Sequence, residues 1–367
     1  MEARLPFDAS CRTTAMGILP HRDVERAMRL VLGLDIPFWP QLPHLSYYED
    51  MYVQFSEHFP GIVLDLPNKK LAFDSARFQS ELAEYSLRML DPEIFTLSQE
   101  YSRVYRRFLS ADLSRYEAIR GQSIGPVSFG FRVVDENDRP IIYNDDVRTI
   151  LYDFLQKKVN AQLRELKLRN QRAFVWLDEP GLGWVFSGLS GYSDVQARLD
   201  YAAFFEGVEG LKSLHLCANV NLPYLLGIGT GLLSFDAFQI GEMPRAFADS
   251  IANFLRAGGI LCWGIVPTDS DSLRDQTPAG LVRLLLSFWQ VVAAGSGLPL
   301  EMIARRALIA PARCCLKNVG QVGSCDDLRG PKAGGGEDLS VEENLVERAF
   351  GYLAQISAEL RERFSLA

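Results

Sequence analysis

Ser213-Leu-His-Leu-Cys-Ala-Asn219 is a short apolar run broken by two ligand-grade side chains, His215 and Cys217. Read as a strand, the run sends residues two apart to the same side, so imidazole and thiol converge on one point. A neutral imidazole beside a thiolate is a borderline-soft pair that suits zinc. Zinc would in turn hold a thiol as thiolate near neutral pH, which turns a metal site into a site for sulfur chemistry. A His-x-Cys pair on its own reads equally as a buried structural cysteine, so the rest of the chain has to decide.

Working outward, apolar or β-rich runs at 12–19, 36–42, 123–129, 173–177, 213–218, 232–238, 259–266 and 307–312 alternate with helical patterns. Those patterns cover 22–34, 145–168, 193–205, 246–257 and 279–294, with two more, 78–90 and 97–109, ahead of the third strand. A last amphipathic helix covers 341–364. Eight strands with intervening helices and no linker predict an α/β fold, a single (β/α)8 TIM barrel over 1–367. It carries an extra helical insertion before strand three and an appended loop and C-terminal helix at 318–367. An open doubly wound sheet is the competing architecture. Residues 320–338 are the one low-complexity stretch, with Gly334-Gly-Gly336 at its centre, and read as a mobile surface loop.

The bulk composition narrows the partners. Net charge is −8 and no Lys/Arg-rich stripe occurs, which argues against nucleic acid. No uninterrupted apolar run reaches the roughly 18 residues of a membrane span, and the first residues lack a signal-peptide core, so the expectation is a cytoplasmic protein without membrane contact. The six cysteines contain no C-x-x-C and do not form a disulfide framework in a chain of 367 residues.

Barrel enzymes carry their chemistry at the carboxyl ends of the strands. There this sequence places His21 after strand one, Asp178-Glu179-Pro180 after four, His215 and Cys217 on five, Asp236 on six, and Cys314-Cys315 after eight. Catalytic zinc needs three protein donors and an open position. His215 and Cys217 supply two and Cys314 the natural third; Cys315 is the rival, since adjacent side chains diverge. Asp236 adds an oxygen donor or stands behind the ligands. Asp178 can orient a substrate ammonium or act as a general base, with Glu179 beside it, although acids before a proline also serve as local turn residues. His21 reads either as a catalytic group at the mouth or as a helix-start surface residue. Phe38, Trp39 and Trp184 either line a substrate or pack.

Gly121-Gln-Ser-Ile-Gly125 matches the G-x-S-x-G pattern, and Ser123, Asp178 and His215 follow in α/β-hydrolase order. An elbow needs a strand before the serine and a helix after it, whereas 113–120 reads as helical and 126–129 as extended. Gly227-Ile-Gly-Thr-Gly231 precedes a strand instead of opening a helix and reads as a turn.

In order along the chain, Arg12-Thr-Thr-Ala-Met-Gly-Ile-Leu-Pro20, Gly125-Pro-Val-Ser128, Leu177-Asp-Glu-Pro180, Leu214-His-Leu-Cys217, Leu233-Ser-Phe-Asp236, Cys262-Trp-Gly-Ile-Val-Pro-Thr268 and Cys314-Cys-Leu-Lys317 resemble the catalytic barrel of the cobalamin-independent methionine synthase family, within the uroporphyrinogen decarboxylase-like superfamily. The resemblance implies a zinc ion (Zn2+) held by His215, Cys217, Cys314 and the strand-six carboxylate, Asp236, where the synthases carry glutamate. It implies that Asp178 contacts the amino group of an amino-acid substrate. It also places Gly17 and Ile18 in the substrate-binding first-strand motif, where the synthases have serine after the glycine. The implied activity is zinc-dependent methyl transfer to a thiol, homocysteine-like or another small thiol. The chain has room for one barrel, which makes a methylated corrinoid protein or methylcobamide a candidate donor. Two alternatives stand beside it: a metal-free decarboxylase-like lyase, and a zinc- or thiol-binding barrel without turnover.

Overall fold

The structure, a computed structural model, describes residues 6–187, 191–217, 221–315 and 339–366. The low-complexity loop expected at 320–338 therefore lies outside the described residues. Nine strands occur among the described residues: β1 (Arg12–Thr13), β2 (Ile62–Asp65), β3 (Lys70–Phe73), β4 (Arg120–Ile124), β5 (Phe174–Asp178), β6 (Lys212–Leu216), β7 (Leu232–Asp236), β8 (Ile260–Val266) and β9 (Ala307–Pro311). The helices before β5 are α1 (Val24–Val31), α2 (Met51–Ser56), α3 (Ser75–Arg88), α4 (Arg103–Leu109), α5 (Pro126–Arg132) and α6 (Asp145–Lys167). After it come α7 (Asp194–Gly207), α8 (Leu222–Leu226), α9 (Arg245–Arg256), α10 (Ser270–Arg274), α11 (Pro278–Ser296), α12 (Leu300–Arg305) and α13 (Leu339–Arg363).

Seven strands form one curled parallel sheet in the order β1-β9-β8-β7-β6-β5-β4. Crossover helices cover its outer side, so the architecture is consistent with a TIM-like barrel. The segment expected as strand two, 36–42, forms no regular strand but joins the two edges of the sheet. On the β1 side Ile36 N–H donates to Thr13 O at 3.0 Å and Gln41 N–H to Gly17 O at 2.7 Å. On the β4 side Arg120 N–H donates to Pro37 O at 2.9 Å and Trp39 N–H to Arg120 O at 3.2 Å.

Side-chain alternation divides each strand between two cores. Leu214, Leu216, Leu233, Phe235, Leu261, Trp263 and Ile309 belong to the large core beneath the helices, whereas Phe174, Trp176, Leu232, Ile260, Cys262, Leu308 and Ala310 fill a smaller interior cluster with Phe7, Ala9, Ile36 and Ala118. The long helix α6 shows how the outer layer forms. Asn144 caps it by accepting the Asp146 and Val147 N–H groups, and Leu151, Leu155, Val159 and Leu166 bury its inner stripe. α11 is long and apolar enough to cross a membrane by length and composition. It packs against α9 and α13, and Leu281, Leu285, Phe288, Trp289 and Val292 are buried.

The third strand corrects the expectation. It runs over Arg120–Ile124 rather than 123–129, and Pro126–Arg132 is a helix with its proline in the first turn. Proline there lacks only an N–H that would be unpaired anyway, which makes Pro126 a start signal. The insertion before it is mixed rather than helical. The antiparallel hairpin β2–β3 joins α2, α3 and α4. It is seated by rings, with Phe59 packing on Phe73, Phe78, Phe129 and Phe154.

Candidate functional site

Parallel register sets the site. Paired residues share a face, and the pairs Ile124–Asp178, Asp178–His215, His215–Ser234 and Ser234–Cys262 run around the inner side of the sheet, with Asp236–Gly264 two residues further along. Two residues beyond His215, Cys217 continues the same face of β6. The structure therefore brings Asp178, His215, Cys217 and Asp236 to the carboxyl ends of adjacent strands on the inner side, as the sequence led us to expect. His215, Cys217 and Asp236 are buried there, and Asp178 is half-buried.

Neighbours fix the imidazole. His215 Nδ1 lies 3.0 Å from Ser234 Oγ, and the ring leans on Trp176 with centroids 5.3 Å apart. Ser234 also hydrogen-bonds the Cys262 thiol, which burial pushes up to about 12. A hydrogen bond at one ring nitrogen is how metal-ligating histidines are oriented through the other.

Below this layer lies a residue the sequence reading passed over. Arg120 is fully buried, its guanidinium stacked over Trp176 at 4.2 Å and Phe38 at 4.9 Å. It donates to Gln122 Oε1 at 3.1 Å, to Gly121 O at 3.3 Å and to Ala15 O. Burial lowers its pKa to about 10, while Asp178 and the Cys262 thiol pull it back up. Its strand, Arg120-Gly-Gln-Ser-Ile124, has no apolar alternation that would have marked the arginine. Planar, weakly hydrated and rich in donors, it is the cation best suited to such a floor.

Other expected site residues take different places. Glu179 points to the outer side and its carboxylate binds α5 and α7. It accepts from Val127 N–H at 2.9 Å, Ser128 N–H at 2.8 Å, Ser128 Oγ at 2.5 Å and the Tyr201 hydroxyl. Burial pushes it up to about 7 against the pull of these donors. The structure thus gives Glu179 an anchoring task in place of the expected substrate contact. Gly17 is required for close approach, since a Cβ there would overlap the Gln122 amide. Ile18 bridges Gln41. His21 is buried, and the charges it senses are Glu343 and Glu347 on α13 with Arg26 and Asp23 at α1; burial, the largest cause, lowers its pKa. None of the inner mouth residues is among those charges. Phe38 and Trp39 are buried packing residues, whereas Trp184 is exposed on the segment after β5.

Ser123 does sit in a strand that leads into a helix, the reverse of what the sequence suggested. It nonetheless lies within β4 and donates to Ile124 O at 2.9 Å, and His215 faces Ser234. Ser123, Asp178 and His215 do not assemble into a hydrolase triad.

Zinc asks for nitrogen, sulfur or carboxylate donors grouped around one point. His215 and Cys217 are of the right kind and share a face. Cys314 is half-buried beyond β9, with its carbonyl accepting from Thr268 Oγ1 at 3.3 Å. Asp236 is already engaged: Oδ2 lies 2.7 Å from Arg313 Nε, and Oδ1 accepts Gln239 N–H at 3.0 Å. Among the described residues, no three His, Cys, Asp or Glu side chains are grouped to hold a metal ion. As arranged, the set of four does not fit zinc, and Asp236 is the member with the clearest competing partner.

No protein-family model matches the chain, and no curated protein does. Among solved structures the chain is similar to a B12-independent methionine synthase from Shewanella sp. W3-18-1 in complex with selenomethionine, with TM-score 0.49 and 13% identity over 93% of this chain and 88% of that one. It is also similar to a methyltransferase from Methanosarcina mazei, with TM-score 0.49 and 15% identity over 93% of this chain and 94% of that one.

Proposed function

We propose that this chain is a methyltransferase that acts on a small thiol at the carboxyl-terminal mouth of a closed (β/α)8 barrel, with segment 36–42 as its second strand. The observation that carries the reading is the inner face shared by Asp178 and His215 on adjacent strands, with Cys217 two residues beyond His215. It sits where barrel enzymes do their chemistry, and these residues come from the motifs that resemble the methionine synthase barrel. Zinc is the cofactor this reading calls for. His215 and Cys217 would be two of its donors, and since the described residues group no third with them, no step of the proposal is routed through the metal. Asp178 orients the acceptor at the rim, while the floor of Arg120 and Trp176 holds the layer in register. A methylcorrinoid is the donor class proposed.

The test is elemental analysis of wild type and Cys217→Ser, with the fold checked by circular dichroism, followed by methyl transfer from methylcobalamin to small thiols. About one zinc per chain, lost in the variant, together with turnover supports the proposal. Well-folded protein that takes up no zinc when supplied with it refutes the zinc-dependent reading.

A further inference from the structure

The end of the sheet opposite the mouth carries a cleft of its own. Its lining comes from residues that lead into strands: Arg12 opens β1, Asp35 precedes segment 36–42, and Arg115, Tyr116 and Glu117 precede β4. Arg361, in the last turn of α13, closes the remaining side. The cleft holds about 420 Å³, inside the range of roughly 300–1,000 Å³ for small-molecule sites.

The acids of this cleft are already committed. Asp35 Oδ2 accepts both the N–H and the hydroxyl of Thr13 at 2.8 Å, and Glu117 Oε1 accepts Asp8 N–H at 3.0 Å and Arg172 Nη1. The arginines are not. A guanidinium offers five N–H donors. Arg12 donates through Nη1 alone, to Asp8 O at 2.9 Å and Asp8 Oδ2 at 2.6 Å. Arg361 donates through Nη1 alone, to Asp35 Oδ1 at 3.5 Å. Arg115 donates through Nη2 to the Tyr116 hydroxyl at 2.8 Å, with its guanidinium 4.9 Å from the centre of that ring. Among the described residues, each arginine therefore keeps Nε and one terminal nitrogen for a ligand. The Leu32 carbonyl at the end of α1, which would repel an anion, is taken up by the Tyr116 hydroxyl at 2.7 Å.

Three cations with donors to spare around one cleft select an anion with several acceptor oxygens. Guanidinium forks meet phosphate through paired, charge-assisted hydrogen bonds, and forks arriving from three sides suit a tetrahedral dianion better than one planar carboxylate. We propose that this cleft binds a phosphate dianion, free or as a phosphomonoester, at the end of the sheet remote from Asp178 and His215. The bound anion bridges Arg12 on β1 to Arg361 on α13 and so fastens the C-terminal helix to the sheet. The site uses none of the mouth residues and does not rest on the proposed methyl transfer.

Isothermal titration calorimetry of the full chain tests this with inorganic phosphate, glycerol 3-phosphate and acetate, at low ionic strength matched with chloride. One phosphate binds per chain; tighter binding of glycerol 3-phosphate marks an esterified ligand, and equal or weaker binding marks the free ion. Arg115→Gln, at an exposed residue, and Arg361→Lys, which keeps the charge and removes the fork, each weaken phosphate by about tenfold, the scale of one charge-assisted hydrogen bond. Arg274→Gln removes an equal charge from α10, beyond the carboxyl end of β8, and leaves binding unchanged. Circular dichroism without phosphate checks the fold of each variant. No saturable binding by about 10 mM overturns the proposal. Acetate bound as tightly as phosphate, or an equal loss in Arg274→Gln, overturns it as well.

Discussion

Replacing Glu179 tests whether the carboxyl end of β5 is held from behind. Its carboxylate accepts four donors, two of them backbone N–H groups in the first turn of α5. In Glu179→Ala the Ser128 and Tyr201 hydroxyls can rotate toward new partners, but the two amides cannot. Each buried donor left unpaired costs about 1–3 kcal/mol, and the vacated volume adds to that. We expect a loss of roughly 3–5 kcal/mol, within the range for breaking a buried charged network. Glu179→Gln keeps the shape but turns an amide NH2 toward donors, so about 1–3 kcal/mol is expected. The assay is urea unfolding followed by tryptophan fluorescence and far-ultraviolet circular dichroism. There is a pH signature as well. Burial raises this carboxyl from its ordinary 4.5 to about 7. The native state therefore keeps a proton that the unfolded chain has released, and the contribution, full below 4.5, is lost as pH rises toward 7. Glu179→Gln should lack that slope. An alanine variant within about 1 kcal/mol of wild type would refute the claim that these four bonds hold the end of β5 to α5 and α7.

Lys158 on α6 is fully buried, with Glu57 at 3.9 Å, and burial lowers its pKa from 10.5 to about 8. The unfolded chain holds that proton longer, so stability should rise between pH 8 and 10.5, and urea midpoints of Lys158→Met should lack the rise. A Cβ on Gly125 would overlap the Glu179 carboxyl; Gly125→Ala should cost about 3 kcal/mol, read as a lowered unfolding midpoint. Arg120→Lys replaces a fork that reaches three acceptors with a point charge, and should cost roughly 2 kcal/mol in thermal unfolding.

The inner layer was legible because strands four to eight of the sequence pattern are largely apolar runs. Expected runs at 173–177, 213–218, 232–238, 259–266 and 307–312 fall on β5 to β9 with ends within a residue or two. Their alternation then placed His215, Cys217 and Asp236 correctly. β4 was misread because its inner face carries Arg120 and Gln122 and its outer face Gly121 and Ser123, so it lacks an apolar signature. The hairpin β2–β3 was missed although Leu66-Pro67-Asn68 supplies a turn between two short alternating runs. What no pattern could show was pairing at long range. The resemblance pointed to Asp236 as a ligand, and only the folded chain brings Arg313 to it.

Segment 36–42 gives the molecule a seam. From β4 to β8 the sheet is laced by continuous ladders, for example five registered pairs between β7 and β8. Here a short irregular stretch reaches each neighbour through a few separate bonds. Few bonds in a row mean a low free energy of local opening, so the native chain should breathe along this line before the ladders from β4 to β8 open. Trp39 and Gln41 amides would then exchange with solvent well ahead of those in β7. A cut made in this neighbourhood would spread the wall without dissolving it, making it the natural place to reopen the chain in a circularly permuted form.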